Sequence, residues 1–564
     1  MCWLHGSHAT TFWSRRRCEF AQERVEFVTG TTVTRHHTNQ PNRRAFMAGL
    51  GFSLFLASTT SLTRPLLAQD VETFAFDFDS FSERMKALAA AEHAALTVDM
   101  PAAFQNLDYD AYRMIQYRGD ASKWADDAAG YRLQAFHMGW LYNEPVKVFE
   151  IENGSARPLD FGAEDFTYHD AAVGDAAATG PFPGVAGLRV NYPLNSADNP
   201  LDELVTFLGA SYFRALGRNN IYGASARGLA LNSWIDVAEE FPRFSEFYVE
   251  KPVPGAPLVV YAALESPSLT GAYRFAITPA GDASQPSVMD VTARLYFRTD
   301  VKELGVAPLT SMFLYAEANR GGFDDYRPQV HDSNGLLVER ESGEVMWRAL
   351  NNSAWLGNSY LAETNPKAFG LYQRGRDFEA YQDAGAHYER RPSIRVEPVG
   401  QWGQGMVRLI EIPAKLEADD NIVAYWIPAE PALAGQEREY NYRLVWGDLD
   451  PEDRPDLAYV AETRAGVGGV SGVENEASLR KFVVDFKGGE LETLPAGTPI
   501  DVLATVGGGT MRNSVLSRID ANGAWRLVMD VEAEPGATLE LKAYLIGLGK
   551  KLTETWLYQW RPAA

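Results

Sequence analysis

Cysteine is nearly absent from this chain of 564 residues: it has two, Cys2 and Cys18, and none follows. Everything beyond residue 18 therefore lacks a disulfide, a reactive thiol and a cysteine metal site. Histidine is also scarce. Of nine, five lie beyond residue 68, namely His93, His137, His169, His331 and His387, and none pair at zinc-binding spacing. There is no His-Glu-x-x-His, no Gly-x-Ser-x-Gly, no P-loop and no dinucleotide fingerprint, which argues against metal, acyl-serine and nucleotide chemistry. No cofactor is expected. No segment past residue 68 approaches the ~18 unbroken apolar residues of a membrane span. Basic charge falls short as well: 52 Lys and Arg stand against 74 Asp and Glu, a net of −22. The deficit is deeper in the body of the chain, because residues 1–68 hold eight Arg and only three Glu. A surface of that sign argues against nucleic acid and anionic membranes as partners.

What is present begins with Asn42-Arg43-Arg44-Ala45-Phe46-Met47, followed by the apolar run Ala48 to Ala57. Paired arginines, Phe and a short Gly/Ala/Ser-rich apolar stretch form a twin-arginine export signal, and the stretch is too short to span a bilayer. Leu66-Leu67-Ala68 offers a cleavage site before Gln69. The alternative is a basic patch beside a buried helix. The signal implies that the body of the chain works in a bacterial periplasm, exported already folded. Residues 1–41 read as an over-long assigned start or an extended n-region and take no part in the fold.

In the body, Ser80 to His93 has helical spacing, with Phe81, Met85, Leu88 and Ala89 on one face and a capping box of Ser80 with Glu83. Strand signals dominate after it: Leu188 to Tyr192, Leu258 to Leu264 and Ala293 to Arg298 are rich in β-branched and aromatic residues and bounded by Gly, Pro, Asn and Asp. The acidic, Pro-containing stretch Gly447 to Pro455 reads as a boundary. Regular strands resume at Lys481–Phe486, Ile500–Val506, Trp525–Val531 and Leu539–Ile546, with a turn at Asp520 to Gly523. The expectation is an all-β protein: a large antiparallel β-sandwich over 69–447, a linker at 448–455 and an immunoglobulin-like sandwich over 456–564.

With other chemistries disfavoured, carboxylates remain. Two loop-like motifs stand out, Arg327-Pro328-Gln329-Val330-His331-Asp332-Ser333 and, after the strand-like Val407 to Pro413, Glu417-Ala418-Asp419-Asp420-Asn421. A general acid and a general base on separate loops are the minimum for inverting glycoside hydrolysis. The competing role for a loop Asp is to form a turn or cap a helix. The 13 Trp, 25 Tyr and 29 Phe fit either a large β core or a groove in which sugar rings stack on aromatic faces.

At these same residues the chain resembles a known family, the periplasmic glucans biosynthesis proteins G and D (OpgG/OpgD, also MdoG/MdoD). The matching stretches run from Phe76-Asp77-Phe78 to Glu554-Thr555-Trp556-Leu557-Tyr558-Gln559. They include Phe207 to Ala215, Tyr222 to Ala230, Thr270 to Tyr273, Arg376-Asp377-Phe378, Tyr381-Gln382-Asp383, Arg391-Pro392-Ser393 and Trp402 to Gly405. The twin-arginine motif points to the D branch. The resemblance implies action on β-1,2-linked glucan, the backbone of osmoregulated periplasmic glucans, by hydrolysis or by transglycosylation that closes rings. It implies that Asp420 is the general acid, that Asp332 is the general base and that Tyr388 lies on the proton path, with the two Asp roles open to exchange. Arg214, Arg227, Arg376 and Arg391 either contact sugar hydroxyls or pair with acidic loops. Trp402 either stacks on a glucose ring or packs in the core. His331 and His387 read as loop-packing residues. One departure stands out: Asn334 follows His331-Asp332-Ser333 where the family carries Asp. A second reading is a non-catalytic glucan-binding or assembly factor for a membrane glucan synthase, with the immunoglobulin-like part carrying the protein contact.

Overall fold

The computed structural model describes residues 73–562, apart from 95, 97, 99, 198–200, 282–284, 470–471, 473–478 and 496. The twin-arginine motif and the residues before it lie outside the described residues. The described residues form one compact unit, built mostly of antiparallel sheet. Among the described residues no helix is long and apolar enough to cross a membrane.

Two large sheets make the main sandwich. The first, of 16 strands, has at its centre the neighbours Arg243–Glu250, Leu258–Glu265, Leu269–Thr278, Ser287–Phe297, Glu437–Gly447 and Ser393–Val399. Strand Ser287–Phe297 alternates buried and half-buried positions, as one covered face dictates. The second sheet, of 10 strands, runs Gly357–Thr364, Gln404–Glu411, Ile422–Pro428, Leu304–Ser311, Ser225–Arg227, Tyr212–Ala215, Asp202–Leu208, Val185–Tyr192 and Arg132–His137, with the tenth, Leu229–Leu231, also paired to Leu304–Ser311. Between the two sheets lies a continuous core that includes Phe207, Phe213, Phe275, Leu309, Trp426 and Trp446. The strands expected from sequence at 188–192 and 258–264 lie within observed ones, and the one expected at 293–298 overlaps Ser287–Phe297 but runs one residue past its end.

The expected helix is present with different ends. It runs Phe78–Ala89, and Asp77 rather than Ser80 caps it. Asp77 Oδ1 accepts from Ser80 N at 2.8 Å, and Oδ2 accepts the Ser80 hydroxyl at 2.7 Å. Asp77 supplies the acceptor earlier in the chain, and a helix begun there buries Phe81 and Met85 at 3% and 0% exposure.

Past the boundary stretch, strands Tyr459–Val467, Leu479–Lys487, Trp525–Glu532 and Thr510–Arg518 form a four-stranded sheet. It shares a core with Asp501–Gly507, Leu539–Gly547 and Thr555–Trp560, around Phe482, Val484, Leu541 and Trp556. That second sandwich is stitched to the first. Thr555–Trp560 pairs in parallel with Val345–Ala349, setting Trp347 beside Trp556, so the 16-stranded sheet runs through both. Leu337, Val345 and Trp347 of the first sandwich belong to the second one's core.

Candidate active site

Two strand pairs and a single strand converge on one patch. Phe313–Tyr315 pairs with the two-residue strand Val330–His331, and Asp332 follows at once, its N–H bound to Met312 O at 2.8 Å. The hairpin Gln404–Glu411 / Ile422–Pro428 ends in a loop whose last residues are Asp420 and Asn421. Buried Asn421 ties that loop to the first. Its Oδ1 accepts from Phe313 N at 2.8 Å, and its Nδ2 donates to Phe313 O at 2.9 Å and Ile412 O at 3.0 Å. Arg214 arrives on Tyr212–Ala215, whose Tyr212 pairs with Arg227 of the next strand.

The two aspartates sit in unlike surroundings. The Asp332 side chain is 10% exposed, with Arg391 Nε 3.6 Å from Oδ1. Burial pushes its carboxyl up to about 6, with the nearby Asp420 and Glu417 adding to the rise and Arg391 and Arg214 opposing it. Asp420 is 39% exposed and faces Arg214 Nη2 at 3.8 Å. The Tyr388 ring is buried, and its hydroxyl donates to Glu417 Oε2 at 2.7 Å. Burial, and then that bond to a carboxylate, hold the phenol well above its ordinary pKa, so Tyr388 stays neutral. The Arg391 guanidinium lies 5.2 Å from the Tyr388 ring centroid. Gly223 makes room for it, since a Cβ there would come within 2.9 Å of Arg391 Cδ. The turn that presents Tyr388 is strained: Gln382 and His387 have φ of 58° and 47°.

Thus Asp332, Asp420, Tyr388, Arg214 and Arg391 come together. Arg227 lies on the same sheet, packed 4.6 Å from the Tyr212 ring and paired with Glu239 at 3.2 Å. Exposed aromatic side chains, Trp234, Phe241 and Tyr360, occur near it and near Arg408, which lies 5.3 Å from the Tyr360 ring. Arg376 and Trp402 are not brought to the aspartates. Arg376 donates to the carbonyls of Glu389, Arg391 and Asp448 and to Ser393 Oγ, bracing the Tyr388 turn from behind. Trp402 is 8% exposed among Trp426, Tyr440 and Tyr442, with Nε1 bound to Asn441 O. His331 is fully buried, held neutral by burial with its pKa down to about 3, and stacked on Phe313.

Two participants had no role assigned from sequence, although Glu417 stands in a quoted motif and Asn334 directly after one. Glu417 receives the Tyr388 hydroxyl and pairs with Arg327, which also grips Asp325 and, at 2.8 Å, Asp383. Asn334 is a loop pin: its Oδ1 accepts from Arg374 N at 3.1 Å, a bond that an Asp would make equally well. Among the described residues no group of three or more His, Cys, Asp and Glu is arranged to hold a metal ion.

Residues 76–560 match the family model described as periplasmic glucan biosynthesis protein, MdoG. The chain is also 50% identical over 535 residues, 93% of its length and 98% of the relative's, to the glucans biosynthesis protein G of Cereibacter sphaeroides.

Proposed function

The chain belongs to the periplasmic glucan biosynthesis protein family, MdoG, and from that premise we propose that it is a periplasmic enzyme that cleaves or rearranges β-1,2-linked glucan with inversion, using Asp332 and Asp420. The observation that carries this reading is the pairing of a buried carboxyl, its pKa raised to about 6, with an exposed one on a separate loop. Two carboxyl groups in contrasting environments divide acid and base work between them.

In this mechanism Asp420, open to solvent, reaches the glycosidic oxygen and gives it a proton. Glucan laid over the patch excludes water from Asp420. Asp332 is mostly ionised at neutral pH yet is a stronger base than an ordinary aspartate, and it takes the proton from the attacking water through intervening hydroxyls. Tyr388, neutral and bonded to Glu417, orders that path. Arg391 and Arg214 hold charge beside the two carboxylates. A sugar hydroxyl in place of water turns hydrolysis into transglycosylation. The D-branch assignment and export by the twin-arginine route rest on the segment from Asn42 to Ala68, and the relative from Cereibacter sphaeroides carries the G name.

The test is incubation of the chain from Gln69 with linear β-1,2-glucan, followed by mass spectrometry of the products. Shorter chains that have each gained a water identify a hydrolase, and products lighter by one water than linear chains of equal length identify cyclisation. Asp420→Asn should lower turnover by about 10²–10⁴-fold while glucan still binds. Full activity in Asp420→Asn or Asp332→Asn removes the site assignment. Glucan binding with no change in chain length favours an assembly factor for a membrane glucan synthase.

A further inference from the structure

The residues around Asp332 hang from one short segment. Tyr372 O accepts the Asn334 N–H at 2.8 Å. Gln373 Nε2 donates to His331 O at 2.9 Å and to Tyr388 O at 3.1 Å. Arg374 N donates to Asn334 Oδ1 at 3.1 Å. Both flanks of Asp332, and the backbone of Tyr388, are therefore fixed by Tyr372-Gln373-Arg374, the last residue of strand Ala368–Tyr372 and the two after it.

The fixed point of that segment lies in the second sandwich. The Arg374 side chain is 4% exposed and that of Glu554 3% exposed. Nη2 meets Glu554 Oε1 at 2.7 Å and Nη1 meets Oε2 at 2.9 Å, a two-pronged fork that sets the plane of both groups. Arg374 Nη1 also donates to Val460 O at 2.6 Å, and Glu554 Oε2 accepts the Val460 N–H at 3.0 Å. The guanidinium lies 3.5 Å from the Trp347 ring centroid. That indole also packs on the backbone of Gly335, the neighbour of Asn334, where a Cβ would stand 2.0 Å from the ring. The indole thus touches both the guanidinium held by Glu554 and the glycine beside the Asp332 loop.

We propose that Arg374 and Glu554 are positioning residues for Asp332 and Tyr388, so that the second sandwich sets the geometry of the catalytic carboxylate. The proposal rests on the catalytic reading of Asp332 given above. Neither residue reaches substrate. Their effect passes through Asn334, Gln373 and Trp347. Arg391 stands 3.6 Å from Asp332, beyond direct hydrogen-bond length, so the pair depends on where the loop holds the carboxylate rather than on a bond between them. A displacement of about 1 Å in such an arrangement costs on the order of 10²-fold in rate.

The experiment compares the full chain with Glu554→Gln, which keeps the shape of the side chain and removes its charge. Two readouts are taken: kcat and KM on β-1,2-glucan, and the titration of Asp332 by carbon NMR of aspartate-labelled protein. The expected result is a fall in kcat of about 10–100-fold with KM within about twofold, and an Asp332 midpoint that moves from about 6 toward the ordinary aspartate value. The double variant Arg374→Met with Glu554→Met removes both buried charges together and is expected to fold even if Glu554→Gln does not. It should regain the melting temperature without regaining kcat or the wild-type titration. An Asp332 titration unchanged in the variant that folds overturns the proposal, as does an unchanged kcat. Wild-type protein that leaves glucan intact overturns the functional reading instead, and the titration then decides the positioning role alone.

Discussion

Asp332 holds a charge where water scarcely reaches, and that has a sign that can be measured. Its pKa rises from 3.8 in an exposed chain to about 6 in the fold, chiefly through burial. The folded state therefore binds this proton more tightly than the unfolded state. No penalty exists below the unfolded value; it grows as pH rises through the interval and is complete above about 6, reaching about 3 kcal/mol at most. Asp332→Asn should accordingly stabilise the protein by up to that amount near pH 8 and leave it unchanged near pH 3, read from denaturant melts at the two pH values. Equal effects at both would mean that the carboxyl is not desolvated. The same titration separates the two catalytic roles. As the base, Asp332 makes kcat/KM fall on the acid side with a midpoint near 6, whereas as the acid it would make activity fall above 6. At this scale the sequence was only partly legible. Asp332, Asp420 and Tyr388 were reached through family motifs, and no spacing in the chain states that they meet. Arg376 and Trp402 belong to motifs of the same kind yet are absorbed in a brace and a core, because a motif does not record which way a side chain points.

Strands were readable where one face is covered and residues alternate or run apolar between turn formers. They were hard to read where both faces are covered. Leu304–Ser311 is buried at all eight positions, so it has no alternation, and Pro308 within it suggests an edge. The strand is nonetheless central, and a register shift between Val306 and Leu309, with Ala307 at φ 47°, absorbs the proline. Gly335 poses the opposite case, a strand residue whose missing side chain is itself a packing element. Gly335→Ala would drive a Cβ to 2.0 Å and 2.2 Å from Trp347 Cζ2 and Cη2, on a ring that also carries the Arg374 guanidinium 3.5 Å from its centroid. The expected loss is about 1–3 kcal/mol, seen as a lower denaturant midpoint. An unchanged midpoint would mean that the indole can slide aside.

For the whole molecule, the strand patterns indicated the β architecture that is observed. Nothing in the chain pattern revealed that Thr555–Trp560 returns to pair with Val345–Ala349, because parallel pairing between distant segments leaves no local signature. The shared sheet predicts that 69–447 and 456–564 do not melt separately. Calorimetry of the full chain should give one cooperative transition, and the piece 69–447 alone should aggregate through the uncovered strand at Val345–Ala349. Two resolved transitions would show that each sandwich is stable by itself.

The same strand pairing bears on how the protein is made. Synthesis runs from the N-terminus, and the partner of Val345–Ala349 emerges only when Thr555–Trp560 has been translated. Until then Trp347 lacks its neighbour Trp556, and Arg374 lacks its acid. Completion of the core thus waits until Thr555–Trp560 has been made, so a product terminated before it would lose an interior strand of the largest sheet instead of trimming a margin.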